Sequence, residues 1–316
     1  MADFSSELLL DVIGQLSPDN LLLQLTAPEV EGDQVSLMYQ TPYRVAKIAD
    51  AELQKWRAPQ VFEALFLPEK NPYIPNNLEL LPTVVSDVPQ LVKQTNSVTA
   101  WHLQDTRFGV PKAHIIARLE TRAIDQQMDA VLALYLAYIK DQLGAQVYPA
   151  SEAGLNFSLQ TTPTGFSIVI GGYSNRQSAL LVDILAALKN PDWQQARFDR
   201  IQQSMVRELN NFRREYPFRQ VVAGLYAMMK GQWTPLQKAD QVNGLTMPEL
   251  EQKVDVLLEN LRLSVLISGN HDQQSAETIV ADLSNWVSLK PLKPFQSVAR
   301  LGLGEYQAQI PVDHSD

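Results

Sequence analysis

The sequence contains no cysteine among its 316 residues. This absence excludes disulfide bonds, catalysis by a thiolate and any zinc site with cysteine ligands. A metal site in this chain would therefore have to be built from His, Asp or Glu. The absence leaves the compartment open, because cytoplasmic and periplasmic proteins can both lack cysteine.

Positive charge is also in short supply, with 26 Lys and Arg against 35 Asp and Glu and a formal net charge of −9. Nucleic acids and anionic membranes are themselves negative and would not attract such a chain. We therefore expect no nucleic acid and no membrane as a partner. With 45% apolar and 19% charged residues, the composition is that of a folded globular protein.

A long hydrophobic run is missing from the N-terminal stretch MADFSSELLLDVIGQLSPDN, whose uninterrupted leucine run has three residues. The stretch also lacks a basic region, so we expect neither a signal peptide nor a membrane span. It is typical of a helix inside a domain, and the C-terminal GEYQAQIPVDHSD ends within an alternating strand pattern. We expect the chain to be a piece of a longer protein whose localisation, periplasmic or cytoplasmic, is undetermined.

Histidine is scarce, and the four histidines are separated by 12, 157 and 43 residues: His102, His114, His271 and His314. His102 and His114 fall on predicted strands that could pair and bring the two rings together. Catalytic zinc needs three protein ligands, and no third ligand accompanies them at a metal spacing. We therefore expect structural polar positions in strands, and for His271 a polar residue after a strand end.

Motifs for nucleophilic and phosphate chemistry are also missing. G-x-S-x-G does not occur, and no Ser-His-Asp arrangement follows from the spacing. Gly171 and Gly172 in GGYSN precede a predicted helix, where a phosphate could bind. The motif lacks the longer glycine fingerprint and the lysine of a nucleotide site, so a turn is favoured.

Four arginines cluster on or beside a predicted long helix, and their charges could meet the carboxylates of a partner: Arg207, Arg213, Arg214 and Arg219. A solvated helix face with local pairing to Glu208 and Glu215 is the simpler interpretation. The residues alone therefore predict no catalytic, cofactor-binding or metal-binding side chain in this chain.

The length suggests about two domains. A helix is predicted over residues 4–16, and NLLLQLTAP then has the pattern of a buried strand closed by Pro28. Repeated Pro and Asn between residues 58 and 89 forbid helix and indicate a domain boundary. The predicted organisation is an incomplete domain over residues 1–80, a linker over 81–96, a complete domain over 97–288, and a linker with the start of a further domain over 289–316.

Residues 97–288 alternate strand and helix patterns in the order β-β-α-β-β-α-α-α-α-β-α. This order predicts an α+β fold, a mostly antiparallel sheet covered by helices on one face. The helix predicted over residues 125–143 is apolar nearly all round and should be buried. A second stripe runs from Phe198 to Tyr216 at helical spacing, and we expect Met205 and Phe212 on it to lie in the core.

Five stretches, in this order and spacing, resemble the insulinase and pitrilysin family of inverted-motif zinc peptidases: NPYIPNNLELL, VPKAHI, GLNFSLQTTPTGFSIVIGGYSNRQ, RELNNFRREYP and LSVLISGN. The resemblance implies metallopeptidase-like layered domains, four to a chain, that form two halves of a closed chamber. It assigns residues 1–80 to the end of the second domain and residues 97–288 to the third. The zinc motif of the family, H-x-x-E-H, belongs to the first domain.

The resemblance implies a chamber wall without chemistry of its own. The helix of this chain that corresponds to the zinc helix has the sequence IDQQMDAVLALYLAYIKD and carries no histidine. We expect no catalytic residue and no zinc in this chain, with zinc bound in the catalytic domain of the parent. The expected partners are the remaining domains and peptide substrates. The alternative is a catalytically inert peptide-binding or scaffold module of the same fold.

Overall fold

The computed structural model describes residues 5–58, 62, 64–67, 69–82, 87–105, 107–121, 124–228, 233–292, 304–305 and 307. The chain divides into two compact units, Met1–Glu69 and Lys70–Asp316. The assignment of residues 1–80 and 97–288 to the second and third domains of the family stays a prediction.

The first unit contains two short helices and a two-stranded sheet: α1 (Ser6–Gly14), β1 (Gln34–Val35), β2 (Pro42–Tyr43) and α2 (Asp50–Arg57). Ser5 caps α1 by accepting a hydrogen bond from the backbone N–H of Leu8. The helix predicted over residues 4–16 is therefore present in shortened form, with Phe4 outside the described residues.

The buried strand predicted for NLLLQLTAP is wrong. Residues 21–27 form no strand, and Leu22 is 91% exposed. A strand needs a neighbour to complete its backbone hydrogen bonds and a second layer to cover its apolar side chains. Among the described residues of this unit, the paired strands β1 and β2 are two residues long and provide neither.

The second unit contains one large sheet and seven helices among its described residues. Its elements are β3 (Gln90–Gln94), β4 (Val98–Leu103), β5 (Lys112–Glu120), α3 (Gln126–Glu152), β6 (Leu155–Thr162), β7 (Gly165–Tyr173), α4 (Gln177–Lys189), α5 (Gln195–Asn211), α6 (Pro217–Ala227), α7 (Pro235–Asn243), α8 (Met247–Leu258), β8 (Arg262–Gly269) and α9 (Gln273–Asn285).

The six strands lie in the order β3-β4-β8-β5-β7-β6, and all neighbours are antiparallel except β4 and β8. The predicted α+β class and the mostly antiparallel sheet are confirmed. The sequence pattern did not predict β3 or α7. Both are short, and the Pro- and Asn-rich region before β3 gives little alternation over its five residues.

The helix α3 forms the centre of the core. It carries buried side chains on every side, including Leu132, Tyr135 and Tyr138, as its apolar circumference predicts. It extends to Glu152, nine residues beyond the predicted end at Leu143. Pro149 lies in this extension, and its carbonyl accepts a hydrogen bond from Asn71 Nδ2 at 2.7 Å.

The stripe from Phe198 to Tyr216 follows the core only at its beginning. Phe198 and Ile201 are buried, whereas Phe212 is half-buried and Tyr216 is 69% exposed. The helix α5 ends at Asn211, and Phe212 begins a 3-10 turn. The prediction that Phe212 lies in the core is therefore wrong, because this end of the helix extends beyond the layer that the sheet and α3 cover.

A segment from residue 70 to 82 lies along the second unit. Tyr73 is buried, and its hydroxyl donates to the Asp183 carboxylate on α4. Arg176 Nε donates to the Ile74 carbonyl at 3.3 Å, and the Leu81 N–H donates to Asn270 Oδ1 at 2.9 Å. These contacts fix the stretch NPYIPNNLELL against α4 and the end of β8.

Candidate functional site

Among the described residues, helices cover one face of the large sheet and leave the other face open. In β5 the residues at odd positions, such as Ile115 and Ala117, are buried, while Lys112, His114 and Arg118 are exposed. A strand turns successive side chains to opposite faces, so the even positions of β5 define the open face. This face is the candidate functional site.

An apolar row crosses the open face at right angles to the strands. Cross-strand registers place five apolar side chains side by side: Leu91, Trp101, Leu266, Ile116 and Val169. Leu91 is 52% exposed and Trp101 37% exposed, and the other three are partly exposed. Strands lie about 4.8 Å apart, so the row is roughly 19 Å long. Apolar side chains in such a line form a surface that another chain can cover.

Cationic groups lie on both sides of this row along β5. Arg118 lies two residues from Ile116 in one direction, and Lys112 lies four residues away in the other. Among the described residues, no carboxylate lies within ion-pair distance of Arg118. The Lys112 ammonium lies 5.2 Å from the centroid of the Tyr173 ring. The open face is therefore cationic although the whole chain is acidic.

The single acidic side chain at the described strand positions of this face is Glu120, and it is already paired. Arg262 Nη1 lies 3.1 Å from Glu120 Oε2, and both side chains are largely buried. The guanidinium also donates to Thr99 Oγ1 at 2.6 Å and to Ser264 Oγ at 2.7 Å. Because Glu120 is held by Arg262, it does not neutralise Arg118.

Glycine at position 171 leaves space for the polar groups beside the row. A Cβ at this position would lie 2.9 Å from Asn156 Oδ1 and 3.1 Å from His114 Cδ2. These separations are shorter than ordinary contacts, so any side chain here would displace the His114 ring or the Asn156 amide. Gly171 thus leaves room for the His114 ring and the Asn156 amide.

The opposite face ends in a buried polar network. His102 Nε2 lies 2.8 Å from the His271 carbonyl oxygen, and His271 Nε2 lies 2.9 Å from Gln177 Oε1. Gln177 in turn donates to the Ala113 carbonyl at 2.7 Å. Burial, together with the charge of nearby His102, lowers the pKa of His271 to about 4. The three side chains join β4, α4 and the end of β8.

The suggested approach of His102 to His114 is wrong. The strands β4 and β5 are not neighbours, because β8 lies between them. His102 is in register with Ile267 on the covered face, and His114 is in register with Ser268 on the open face. His271 follows the strand as expected but is buried, and His314 lies outside the described residues.

The structure also locates the other candidate groups. Gly171 and Gly172 belong to β7 and do not form a loop at a helix N-terminus, so the phosphate interpretation has no geometry to support it. Arg219 Nη1 pairs with Glu215 Oε2 at 3.1 Å, as local pairing predicts. Arg207 and Arg213 are exposed.

Zinc has no matching donor set in the described part of the chain. No group of three or more His, Asp or Glu side chains lies together there in a position to hold a metal ion. The described helices also include none that is long and apolar enough to cross a membrane.

Comparison with known proteins identifies the chain. Residues 1–241 match the family of the middle or third domain of peptidase M16. The chain belongs to the M16 peptidase family. The resemblance to insulinase and pitrilysin peptidases is thereby confirmed, and the family is one of zinc metallopeptidases. This M16 chain is 30% identical to the insulin-degrading enzyme of Homo sapiens over 309 residues, which are 94% of this chain and 30% of that protein.

Solved structures share the fold of this M16 chain. The crystal structure of pitrilysin matches 89% of this chain and 30% of that chain, with a TM-score of 0.71 and 19% identity. An M16 inactive domain from Pseudomonas fluorescens matches 65% of this chain and 52% of that chain, with a TM-score of 0.50 and 13% identity. The M16 chain therefore spans about a third of the length of the curated relatives that it matches.

Sequence reasoning did not find the open face. In β8, Ser264, Leu266 and Ser268 alternate with buried neighbours, so one side of this strand belongs to the open face. The alternation of charged and apolar residues in KAHIIARLE was visible and could have indicated a one-sided strand. The apolar row itself depends on the register between strands that are distant in sequence, which no local pattern gives.

Proposed function

We propose that this chain forms part of the wall of a closed chamber in a zinc-dependent metalloendopeptidase that encloses and degrades peptides. The observation that carries the proposal is the open face of the large sheet, where an apolar row remains exposed while helices cover the other face. Exposed apolar surface of this kind is suited to contact with another polypeptide. Membership of the M16 family supports the same assignment.

The chemistry would reside in other domains of the parent chain. The described residues here do not offer three ligands for zinc, and α3 carries no histidine at the positions of the family motif. Zinc bound in the catalytic domain of the parent would activate a water molecule for attack on the peptide bond. The residues of this chain would contribute the surface that holds the peptide: Leu91, Trp101, Ile116, Val169 and Leu266.

The proposed partners are the remaining domains of the parent chain and the peptide substrates. The assignment of residues 1–80 to the second domain, residues 97–288 to the third and residues 289–316 to the start of a further domain is part of this proposal. It would place one complete domain of the chamber in the second compact unit.

The proposal is tested in the complete parent peptidase with Ile116→Arg, which places a charge in the middle of the apolar row. We expect a raised KM for peptide hydrolysis with little change in kcat, because peptide binding weakens and the zinc site is untouched. Val256→Arg on α8 is the matched control, since Val256 is exposed on a helix away from this face. Unchanged KM in the Ile116 variant would instead favour an inert scaffold module.

A further inference from the structure

The open face carries charge as well as apolar surface, and the pattern along β5 is regular. Its side chains on the open face are, in order, Lys112, His114, Ile116, Arg118 and Glu120. Alternate residues of a strand are about 6.8 Å apart, so cationic groups lie about 7 Å from Ile116 on one side and about 14 Å on the other.

An extended peptide has the same spacing. Its alternate side chains also project about 6.8 Å apart, so a peptide running along β5 would present one side chain to each exposed position. Ile116 and its neighbours in the apolar row would receive an apolar side chain. Counted from that apolar residue, Arg118 would face the peptide residue two positions away on one side. Lys112 would face the residue four positions away on the other side.

Charge decides which residues fit these positions. Within the described part of the chain, Arg118 has no carboxylate partner, and Glu120 is held by Arg262. An unpaired guanidinium accepts a carboxylate in a charge-assisted hydrogen bond and is repelled by another cation. The chain has a formal net charge of −9, so this cationic face is opposite in sign to the chain as a whole.

We propose that the open face selects extended peptide segments in which an apolar side chain on Ile116 has one acidic residue two positions away, facing Arg118, and another four positions away on the other side, facing Lys112. This inference rests on the proposed chamber-wall function and names the peptide chemistry that the wall prefers. The chain would thus contribute to substrate choice without contributing a catalytic residue.

The experiment measures binding of three fluorescein-labelled synthetic peptides to the full chain by anisotropy. The acidic peptide contains Glu-Ser-Leu-Ser-Asn-Ser-Glu, and the other two replace both glutamates with glutamine or with lysine. We expect the acidic peptide to bind at least about fivefold more tightly than the lysine peptide, because two exposed ion pairs are replaced by two repulsions. Raising the salt concentration should weaken binding of the acidic peptide most.

The variant Arg118→Gln should remove much of this discrimination, and Ile116→Ser should weaken all three peptides alike. Arg207→Gln is the matched control, because Arg207 is exposed on α5. Thermal unfolding of each variant confirms that it is folded. Equal binding of the acidic and lysine peptides, or an Arg118→Gln variant that discriminates like the wild type, would overturn the inference.

Two further outcomes are decisive. If none of the peptides binds, the inference is overturned, while the chamber-wall proposal still stands or fails on the KM of the Ile116→Arg peptidase. If a single-stranded oligonucleotide displaces the acidic peptide as effectively as unlabelled peptide does, the face binds anions in general and the peptide assignment is wrong.

Discussion

At the scale of single residues, burial determines how much a side chain contributes to stability. Phe198 is buried at 2% exposure near the start of α5, whereas Phe212, on the same stripe, is half-buried beyond its end. The two phenylalanines therefore differ in the apolar area that they remove from water, although their spacing in the sequence suggests equivalent positions.

Phe198→Ala is expected to lower the free energy of unfolding by about 3–5 kcal/mol, because truncation leaves a cavity in the core. Phe212→Ala should cost clearly less, since solvent already contacts the ring. Chemical denaturation with urea measures both values. Equal costs for the two variants would show that α5 packs along its whole length.

His271 gives the second unit a pH-dependent stability. Burial lowers its pKa from 6.5 to about 4. As the pH falls below 6.5, the unfolded chain takes up a proton that the folded chain refuses until about pH 4. Stability is therefore full above pH 6.5 and is lost across this window, by on the order of 3 kcal/mol.

The measurement is the thermal midpoint of unfolding between pH 7.5 and 4.5. His271→Gln keeps an amide donor near Gln177 but cannot titrate, so its midpoint should depend less on pH. His114→Gln is the control, because His114 is exposed on the open face. Identical pH profiles for the two variants would contradict the prediction.

At the scale of elements, α6 buries a polar side chain and exposes apolar ones. Its buried residues are Gln220 and Gly224, and Gln220 donates to the carbonyls of Arg213 and Glu215 at 3.2 and 2.8 Å. Its exposed residues include Phe218, Val221, Val222 and Leu225. The spacing i, i+3, i+4 and i+7 places these four side chains on one stripe.

This stripe should cause association of the chain at high concentration, because exposed apolar stripes bury area by contact with one another. Val222→Glu is expected to reduce the association measured by sedimentation velocity. Val256→Glu on α8 is the control, because Val256 is 56% exposed against 44% for Val222, and it should leave the association unchanged. A wild-type chain that stays monomeric at every accessible concentration would remove the prediction, and the net charge of −9 works in that direction.

Local sequence patterns correctly predicted the elements whose burial follows from their own periodicity. The neighbouring strands β6 and β7, which the predicted element order contains, and the all-round apolar α3 are present as predicted. The pattern failed where position in the fold decides. The leucines of NLLLQLTAP are exposed, and the open face depends on registers between distant strands. The candidate site was therefore missed although every strand that builds it, apart from β3, was predicted.

The whole chain spans about a third of the length of the relatives that it matches, so the activity of the isolated chain has to be tested separately from that of a complete peptidase. We predict that the isolated chain neither retains zinc nor cleaves peptides. His102 and His114 lie on opposite faces of the sheet, and catalytic zinc requires three converging ligands.

Metal analysis of protein purified without chelator tests one half of this prediction, and a quenched-peptide assay with and without 1,10-phenanthroline tests the other. We expect less than stoichiometric zinc after dialysis and no chelator-sensitive cleavage. One tightly held zinc per chain, with cleavage that the chelator abolishes, would show that the non-catalytic assignment of this chain is wrong.

The position of β8 sets the order in which the sheet can be completed during synthesis. This strand lies between β4 and β5, yet Arg262 follows its partner Glu120 by 142 residues. Pairings between such distant segments form slowly, because a long loop must close first. A nascent chain that has not yet emerged beyond residue 269 exposes the inner edges of β4 and β5 together. The second unit should therefore depend on protection from aggregation until β8 has left the ribosome.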